Sequence, residues 1–334
     1  MTRFRWALLL GMLTVPALAQ DPAAGHAQIQ ESVLNSLYAL GASNGVPDGL
    51  GVEWLPKQHV RGQQTALGML TSQGGLTVPV MDEGADQLFA LASTRWVNLR
   101  TQAILPTDHV PLANNWYDIQ AGGLFVHQMD RGWSWGVSLT GGSISDRPFQ
   151  TLNEVAVNSL VFLRTPANGD DAWLFYVVSA TNGQIGRNIP IPGLAYEFKT
   201  TDWKGSVGFP FVNLNYRPPG DWGWELNYAA LTDIQTRVNW YPTDYARAYG
   251  GFAWTNQAWF RSDRPSRNDQ FFYYEKRLDT GLVLIPTPGV NVELGGGYAF
   301  DRYFFETQTF SLSGRNRVDV GNGPFVRFQI ELKY

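Results

Sequence analysis

The sequence predicts an all-β protein, an antiparallel transmembrane β-barrel of about twelve strands, with a range of roughly 10 to 14. Two observations predict this fold: few charged residues beside many aromatic ones, and repeated segments in which apolar and polar residues alternate. Of the 334 residues, 16% are charged and 14% are aromatic. A typical soluble domain has about 25% charged residues. The surface is therefore expected to contact an environment less polar than water.

The composition also excludes several classes of site. The chain contains no Cys, which excludes a disulfide scaffold, a thiolate zinc site, an iron–sulfur cluster and a cysteine nucleophile. Its formal net charge is −4, and without a basic run such a chain is a poor partner for nucleic acid. Its mean hydropathy of −0.20 argues against a bundle of apolar membrane helices.

The amino terminus has the pattern of a secretory signal peptide. Arg3 and Arg5 form a basic start, an apolar stretch follows from Trp6 to Val15, and Ala17 to Ala19 form a small-residue cleavage box. The apolar stretch has about ten residues, whereas a spanning helix needs roughly 20. We therefore predict a signal peptide at residues 1–19 and export of the mature chain.

Residues 20–60 are predicted to form a periplasmic leader or a plug-like segment. Most of this range is rich in Ala, Gly and polar residues. One patch has apolar residues near helical spacing: Ile29, Val33, Leu37 and Leu40. A poorly ordered leader is favoured over a plug, although both interpretations stay open. The barrel is then expected to occupy residues 61–334.

The alternation is clearest in the carboxyl-terminal segment Pro324–Tyr334. One side of this segment carries the apolar residues Val326, Phe328, Ile330, Leu332 and Tyr334. The other side carries the polar residues Arg327, Gln329, Glu331 and Lys333. Since side chains of a strand point alternately to its two faces, the apolar set is predicted to face lipid and the polar set the lumen.

Four more segments show the same split between apolar and polar positions. Their apolar sides lie within Trp133–Leu139, Trp222–Tyr228, Ile234–Trp240 and Val290–Phe300. A secreted soluble β-sandwich would also alternate, because one of its sheet faces is wet. The barrel is favoured because Trp and Tyr bracket the apolar faces, as they do in the aromatic girdles of membrane barrels.

The carboxyl terminus resembles the terminal insertion signal of bacterial outer-membrane β-barrels. Many of those proteins end with Phe, whereas this chain ends with Tyr334. Three further stretches resemble a family of uncharacterised outer-membrane barrel proteins: Ile191–Phe198, Gly208–Phe211 and Gly296–Arg302. The resemblance implies the fold and a location in the bacterial outer membrane. It also implies outer-membrane lipid and the barrel insertion machinery as partners, the latter through the terminal strand, and it implies no activity.

Turns and loops give an independent check on the strand count. Membrane barrels have short periplasmic turns, longer outer loops and a periplasmic carboxyl end. The compact turns Pro218–Asp221, Tyr241–Asp244 and Pro286–Gly289 are therefore assigned to the periplasm. The polar loops Ser262–Asp269 and Ser313–Gly323 are assigned to the outside. Each interval then holds an even number of strands, as this topology requires.

Upstream of these turns the pattern predicts six strands. They lie near residues 116–127, 131–141, 152–164, 171–181, 193–201 and 205–217. With six strands downstream they give the total of about twelve. Segments near 64–72 and 86–100 could add two more.

Signals for catalysis or metal binding are weak. His127 lies near Ser134 and Ser138 in sequence, which would permit a Ser–His pair, but a histidine hydrogen-bonded inside the barrel is favoured. Residues 168–171 could bind calcium, although a plain loop is favoured. The aromatic run at 271–274 could form a sugar platform, although a girdle with barrel packing is favoured. We expect no enzymatic activity, no metal and no cofactor.

The predicted lumen carries the strongest functional signal. Nine polar residues are predicted to line it: Glu225, Asn227, Gln235, Arg237, Asn291, Glu293, Arg327, Gln329 and Glu331. Their charges are mixed in sign, and about twelve strands would leave a lumen narrower than that of a 16-stranded porin. The sequence therefore favours a passive channel for small solutes. The alternative is a non-conducting barrel with a structural or surface-interaction role.

Overall fold

The computed structural model describes residues 46–183, 188–230, 233–308 and 311–333. The predicted signal peptide, the helix-like patch of the leader and Tyr334 lie outside these residues. Within them, two short 3-10 turns are present, at Asp130–Gly132 and Leu152–Glu154. No helix in these ranges is long and apolar enough to cross a membrane.

Strands make up most of the described chain. They are β1 (Gly49–His59), β2 (Ala66–Glu83), β3 (Asp86–Arg100), β4 (Asn115–Gln128), β5 (Ser134–Ser145), β6 (Val155–Pro166), β7 (Ala172–Ala180), β8 (Ile191–Lys199), β9 (Trp203–Phe209), β10 (Phe211–Tyr216), β11 (Trp222–Ala229), β12 (Asp233–Thr243), β13 (Ala246–Trp259), β14 (Gln270–Thr287), β15 (Val290–Thr307), β16 (Arg315–Val320) and β17 (Gly323–Leu332).

Sixteen of these strands form a closed antiparallel barrel. Strands β1 to β15 pair in sequence order, each with the next. The ring then continues from β15 to β17, and β17 pairs with β1 to close it. The closing pair places Gly49 opposite Glu331 and Trp54 opposite Val326. The remaining strand, β16, lies outside this ring and pairs with the part of β15 beyond the start of β17.

The expected count of about twelve strands is therefore wrong, for three reasons. First, β1 lies at Gly49–His59, inside the range 20–60 that the sequence assigned to a leader. Second, the two optional segments both form strands, β2 and β3. Third, the single strand expected at 205–217 is a hairpin of β9 and β10 that reverses at Pro210. This turn escaped prediction because Gly208–Phe211 contains no polar turn residue.

The two ends of the barrel differ in their connections. At one end, called the turn end, lie the first and last strand residues, Gly49 and Leu332, and short connections such as Pro218–Asp221 and the one after Thr287. At the other end, called the loop end, lie the longer connections 101–114, 146–154 and 260–269. The three compact turns share one end as predicted, and the polar loop Ser262–Asp269 lies at the other. The segment Ser313–Gly323, which was predicted as a second polar loop, instead contains strand β16, so the interval 290–334 holds three strands and not two.

The outward face of the barrel is apolar. Leu50 is 68% exposed, Leu294 63% and Phe328 46%, and the alternate positions of the same strands face the interior. Aromatic rings pair across neighbouring strands at the turn end: Trp173 with Tyr196, Trp203 with Tyr216, and Trp222 with Trp240, at centroid distances of 4.8, 4.5 and 6.3 Å. An apolar band with an aromatic girdle is the surface of an outer-membrane-type barrel.

A hydrophobic cluster fills the interior near the loop end. Trp116 of β4 stacks on Phe271 of β14 with ring centroids 4.6 Å apart. Leu105 and Leu112 of the connection 101–114 are buried in the same cluster, which also contains Val60. Because these residues come from strands on separate parts of the ring, this connection packs into the mouth of the barrel.

Candidate functional site

The central feature of the interior is a set of charged residues on β14. Glu275, Arg277 and Asp279 are at alternate positions, so the strand turns all three to the same face. The Glu275 carboxylate accepts hydrogen bonds from Arg277 and from the Tyr273 hydroxyl, and its other cationic partner is Arg302, whose Nε is 3.0 Å away. Glu275 is therefore a fully buried carboxylate with two arginine partners.

Arg277 also connects β14 to β1 across the concave side of the sheet. Its Nη1 lies 2.6 Å from Glu53 Oε2 and its Nη2 lies 3.2 Å from Glu53 Oε1, a bidentate arrangement. The strands β15 and β17 separate these two residues along the ring. A contact that passes over two strands is possible only inside the barrel, so this pair fixes the charged face as the inner one.

A second group of charges lies towards the turn end. Glu293 lies 2.8 Å from Arg327 and 3.6 Å from Arg237, and it accepts a hydrogen bond of 2.7 Å from the Tyr249 hydroxyl. Arg327 also lies 3.0 Å from Asp279. The group therefore joins β12, β13, β14, β15 and β17 through one connected set of contacts.

Glycines on the neighbouring strands allow Tyr249 to adopt this position. A Cβ atom on Gly281 or Gly295 would lie 2.6 Å from the Tyr249 hydroxyl oxygen, which is closer than side chains pack. The ring therefore lies along the inner wall over two residues without side chains. This placement lets its hydroxyl reach Glu293.

The nine predicted lumen residues take the following places. Glu225 pairs with Arg247 at 3.0 Å, Asn291 donates to Glu331 at 2.9 Å, and Asn227 accepts from Asn213. Gln235 lies opposite Asn227 in the register, and Gln329 lies opposite Glu293. Arg237, Glu293 and Arg327 form the group described above. Their role in lining a pore stays a prediction.

Three of the predicted lumen charges pair with one another: Glu293 pairs with both Arg237 and Arg327. Glu225 has a different partner from the one its register suggests, because it lies opposite Arg237 but pairs with Arg247. Adjacent backbone positions thus do not fix which long side chains meet.

Sequence reasoning missed many charged residues of the inner wall. Six of them belong to the two groups described above or pair with Glu225: Glu53, Arg247, Glu275, Arg277, Asp279 and Arg302. The signal for three of them was present, since acid, base and acid alternate at positions 275, 277 and 279 directly after an aromatic run. Glu53 was missed because its segment was assigned to the leader.

The opposite inner wall is polar as well. Gln120 of β4 donates to Asp118 at 2.7 Å and accepts from Asn158 of β6 at 2.7 Å. Charges also interact between the walls, since Asp233 of β12 interacts electrostatically with both Arg277 and Arg95 of β3. The interior therefore contains polar side chains on separate arcs of the ring.

Several buried polar atoms of the inner wall have no protein partner in the described residues. Both side-chain polar atoms of Asn239 are in this state, and Asn239 is fully buried. The other examples are Arg237 Nε, Asp279 Oδ1, Arg302 Nη2, Thr255 Oγ1 and Ser134 Oγ. Leaving such atoms without any hydrogen bond costs about 1–3 kcal/mol each.

At the loop end, connections from opposite sides of the barrel contact each other. The backbone N–H of Phe260 donates to Ile144 O at 2.9 Å. Ser262 donates to the Asp146 carboxylate from its backbone N–H at 2.7 Å and from its hydroxyl at 2.9 Å. Arg264 donates to Asn153 O at 2.6 Å. Since β5 and β13 lie on opposite sides of the ring, these contacts bridge the mouth.

A second set of contacts joins the connection 101–114 to this bridge. The Asp108 carboxylate accepts from Arg261 and, at 2.9 Å, from the Asn316 amide. The hydrogen bond from Arg261 lowers the pKa of Asp108 below its ordinary value, because it stabilises the ionised form. Asn316 also donates to Glu306 at 2.7 Å. Loops at this end are therefore held together across the mouth through non-covalent contacts.

The remaining sequence candidates have structural partners. The expectation that His127 lies inside the barrel is wrong. Its side chain is on the face opposite the buried Val126, and its Nδ1 lies 2.6 Å from Asp86. Ser134 and Ser138 are buried on the inner face, so no Ser–His pair forms. His127 faces away from them because a shift of one position along a strand changes the face.

The two other segments also have packing roles. Phe271 and Phe272 belong to clusters on opposite faces of β14, and all four rings of 271–274 are buried, so they form no exposed sugar platform. The expectation of packing on both faces is confirmed. In the turn 168–171, the Asp171 carboxylate accepts hydrogen bonds from the Tyr196 hydroxyl and the Lys199 backbone.

Comparisons with known proteins place few further constraints on the chain. No protein-family model matches it, so the resemblance to a family of outer-membrane barrels stays a prediction. No curated protein matches it either. Among solved structures it is similar to the beta domain of the Bordetella autotransporter BrkA, with 10% sequence identity over 86% of this chain and 100% of that chain. The TM-score is 0.31, and at this value the match carries no argument about fold or function. The outer-membrane type is inferred from the closed barrel and its apolar, girdled surface.

Proposed function

We propose that this protein is a bacterial outer-membrane channel for small polar solutes, with its mouth closed at the loop end in the conformation described. The observation that carries the proposal is the closed ring of 16 strands, which is of the size that leaves an aqueous channel. Its inner wall carries charged and amide side chains on separate arcs of the ring.

The proposed orientation places the loop end outside the cell. The first residue of β1 and the last residue of β17 both lie at the turn end. In membrane barrels of this type the termini and the short turns are periplasmic. Solutes would then meet the bridged loops first and the charged inner wall next.

Closure of the mouth is compatible with a channel because the bridge consists of hydrogen bonds and ion pairs. Separating the segment 260–269 from 146–154 breaks the contacts of Ser262 with Asp146 and of Arg264 with Asn153. Each such hydrogen bond contributes about 0.5–1.5 kcal/mol net. Thermal motion can therefore open such a bridge without unfolding the barrel.

The second candidate is a non-conducting barrel with a structural or surface-interaction role. The pairing of inner-wall charges favours it, since Glu53, Arg277, Glu275 and Arg302 form one connected buried set. Charges that satisfy each other leave a weaker field for a passing ion.

Conductance in planar lipid bilayers separates the two candidates. We expect brief, infrequent openings from the wild-type protein and longer openings from the double variant Asp146→Ala with Arg264→Ala, which removes the side-chain hydrogen bonds of the bridge. Arg147→Gln is the matched control, because in the described residues the exposed Arg147 side chain makes no hydrogen bond or ion pair. Silence from wild type and double variant, both folded, would favour the non-conducting candidate.

A further inference from the structure

A patch of four cations lies on the outward face of the barrel at the loop end. We call it the seam patch; it consists of Lys57, Arg61, Lys276 and Arg317. The inward neighbours of these residues establish the direction. Val318 and Val320 of β16 belong to the interior cluster, as do Leu55 and Val60 near the end of β1. The exposed residues Arg61 and Arg317 next to them therefore face outward, as does Lys276 between the inward Glu275 and Arg277. A bulge between Leu55 and Gln58 breaks the alternation on β1 and turns Lys57 outward too, because its side chain lies over Gly68, which stands between the inward Leu67 and Met69.

The strands bring these cations together where the barrel closes. Val60 forms an isolated bridge with Val320, and the Arg61 backbone N–H donates to Asp319 O at 2.9 Å. Arg317 lies two residues from Asp319 on the same face. Lys57 lies on β1, four residues before Arg61. Lys276 is on β14, two strands away from β16 with β15 between them.

The patch has an excess of positive charge. Arg317 pairs with Asp319 at 2.8 Å and Lys276 pairs with Asp301 at 2.7 Å. For Lys57 and Arg61, by contrast, the described ranges contain no carboxylate within ion-pairing distance. In a chain with a net charge of −4, two unpaired cations beside two exposed pairs form a local site for anions.

An exposed tryptophan places the patch near the depth of lipid headgroups, and two buried tyrosines lie against its paired cations. The Arg317 guanidinium lies 3.8 Å from the Tyr303 ring centroid, and Lys276 Nζ lies 5.6 Å from that of Tyr274. Trp54, which is outward and 49% exposed, comes three residues before Lys57. Trp and Tyr prefer the boundary between hydrocarbon and headgroups. Basic side chains directly beyond them extend into the headgroup region.

Two connections at the turn end are acidic. The hairpin between β2 and β3 contains Asp82, Glu83 and Asp86, and the turn between β6 and β7 contains Asp170 and Asp171. The cationic patch is thus specific to one end of the barrel. A general attraction to any membrane surface does not account for this asymmetry.

We propose that the seam patch binds the phosphate groups of an anionic glycolipid in the outer leaflet, a phosphorylated lipid A headgroup. The geometry suits this ligand, because guanidinium groups bind phosphate oxygens in a bidentate manner and Lys adds a point charge. The proposal rests on the membrane placement and orientation given under the proposed function, but it does not require the barrel to conduct.

The test measures retention of lipid A by the purified full-length protein in neutral detergent, using native mass spectrometry. The probes are lipid A with both phosphates and the same lipid after enzymatic removal of the phosphates. We expect the wild type to retain the phosphorylated form and the triple variant Lys57→Gln, Arg61→Gln, Arg317→Gln to bind it roughly 10- to 100-fold more weakly. The control variant Arg131→Gln with Arg217→Gln removes two cations from the turn end and should bind like the wild type.

Three outcomes would overturn the proposal: equal binding by the triple variant, equal retention of both lipid forms, or a change of oligomeric state without a change in lipid binding. The last outcome would identify the patch as a contact between copies of the chain. Heat-dependent gel mobility checks that each variant is folded, and Arg317→Lys should keep most of the binding. A silent barrel that still binds phosphorylated lipid A would refute the channel and leave this proposal standing.

Discussion

At the scale of single residues, the inner wall shows how a membrane barrel holds buried carboxylates. Glu275 is fully buried, yet two arginines and the Tyr273 hydroxyl surround it. A buried ion pair adds little stability compared with an apolar pair, but removing one member leaves the other charge uncompensated. The wall is therefore most sensitive to changes that break a pair.

Glu275→Gln should destabilise the barrel by about 3 kcal/mol or more, because it leaves Arg277 and Arg302 without their shared carboxylate. The measurement is the unfolding midpoint in urea in detergent, read by gel mobility. Glu331→Gln is the control, since its side chain is 32% exposed and should change the stability by less than about 1 kcal/mol. Equal effects of the two changes would contradict the assignment of Glu275 to the buried wall.

Glu293→Gln should shift the ion selectivity of the proposed channel towards anions. Arg237 and Arg327 both pair with Glu293, so neutralising this acid frees positive charge at the inner wall. The reversal potential under a salt gradient measures the shift. Gln329→Asn, directly opposite in the register, is the neutral control. A conducting pore with unchanged selectivity would show that Glu293 lies away from the ion path.

At the scale of elements, each strand carries two patterns, one on each face. In β17, Val326 and Phe328 are outward and exposed, whereas Arg327 between them reaches Glu293 and Asp279 inside. The alternation therefore separates the lipid side from the lumen side within a single strand. A substitution should have opposite consequences at adjacent positions.

Phe328→Asp should reduce the amount of assembled barrel in the membrane, because an acidic residue near the middle of the lipid face costs up to about 2 kcal/mol. Gln329→Asp, one residue further and facing inward near Arg327, should assemble normally. Heat-modifiable protein in the outer-membrane fraction measures assembly. If both variants assemble equally well, the lipid-facing assignment of Phe328 is wrong.

At the scale of the whole molecule, the barrel has two unlike ends. The loop end is bridged by contacts between the segments 260–269 and 146–154, and the turn end has short connections. Orientation in the membrane and opening of the mouth are therefore properties of the complete ring. Each is open to an experiment of its own.

The proposed orientation predicts which surface positions a thiol reagent reaches on intact cells. The chain has no Cys, so single cysteines can be introduced without background. Asn268→Cys at the loop end should react with an impermeant maleimide. Tyr245→Cys, in a turn-end connection where Tyr245 is 73% exposed, should react only after the cells are lysed. The reverse labelling pattern would invert the topology.

The mouth should open more often as the pH falls. Arg261 lowers the pKa of Asp108 from its ordinary value of 3.8, so the contact stabilises closure above that value and is lost as the pH falls through the lowered one. We expect bilayer openings to increase below about pH 4. Asp108→Asn should make openings frequent at neutral pH and reduce their pH dependence. An unchanged pH profile in this variant would assign the opening to another group.

The sequence predicted the parts of this structure that depend on local patterns. Alternation identified the faces of β11, β12 and β17, and Pro and Gly identified turns such as Pro218–Asp221. The hairpin of β9 and β10 was missed because its turn around Pro210 is apolar. The first strand was missed because Gly49–His59 is only partly alternating and continues a polar, Gly-rich segment.

The sequence by itself determined which strand positions carry the apolar face and which the polar face, because the two-residue period of a strand is a local property. Only the tertiary structure decided which charges meet. Arg277 and Glu53 are 224 residues apart in the chain, and they come into contact because closing the ring places β14 and β1 on the same concave surface. The number of strands and the bridge across the mouth have the same origin, since both depend on how distant segments curve towards each other.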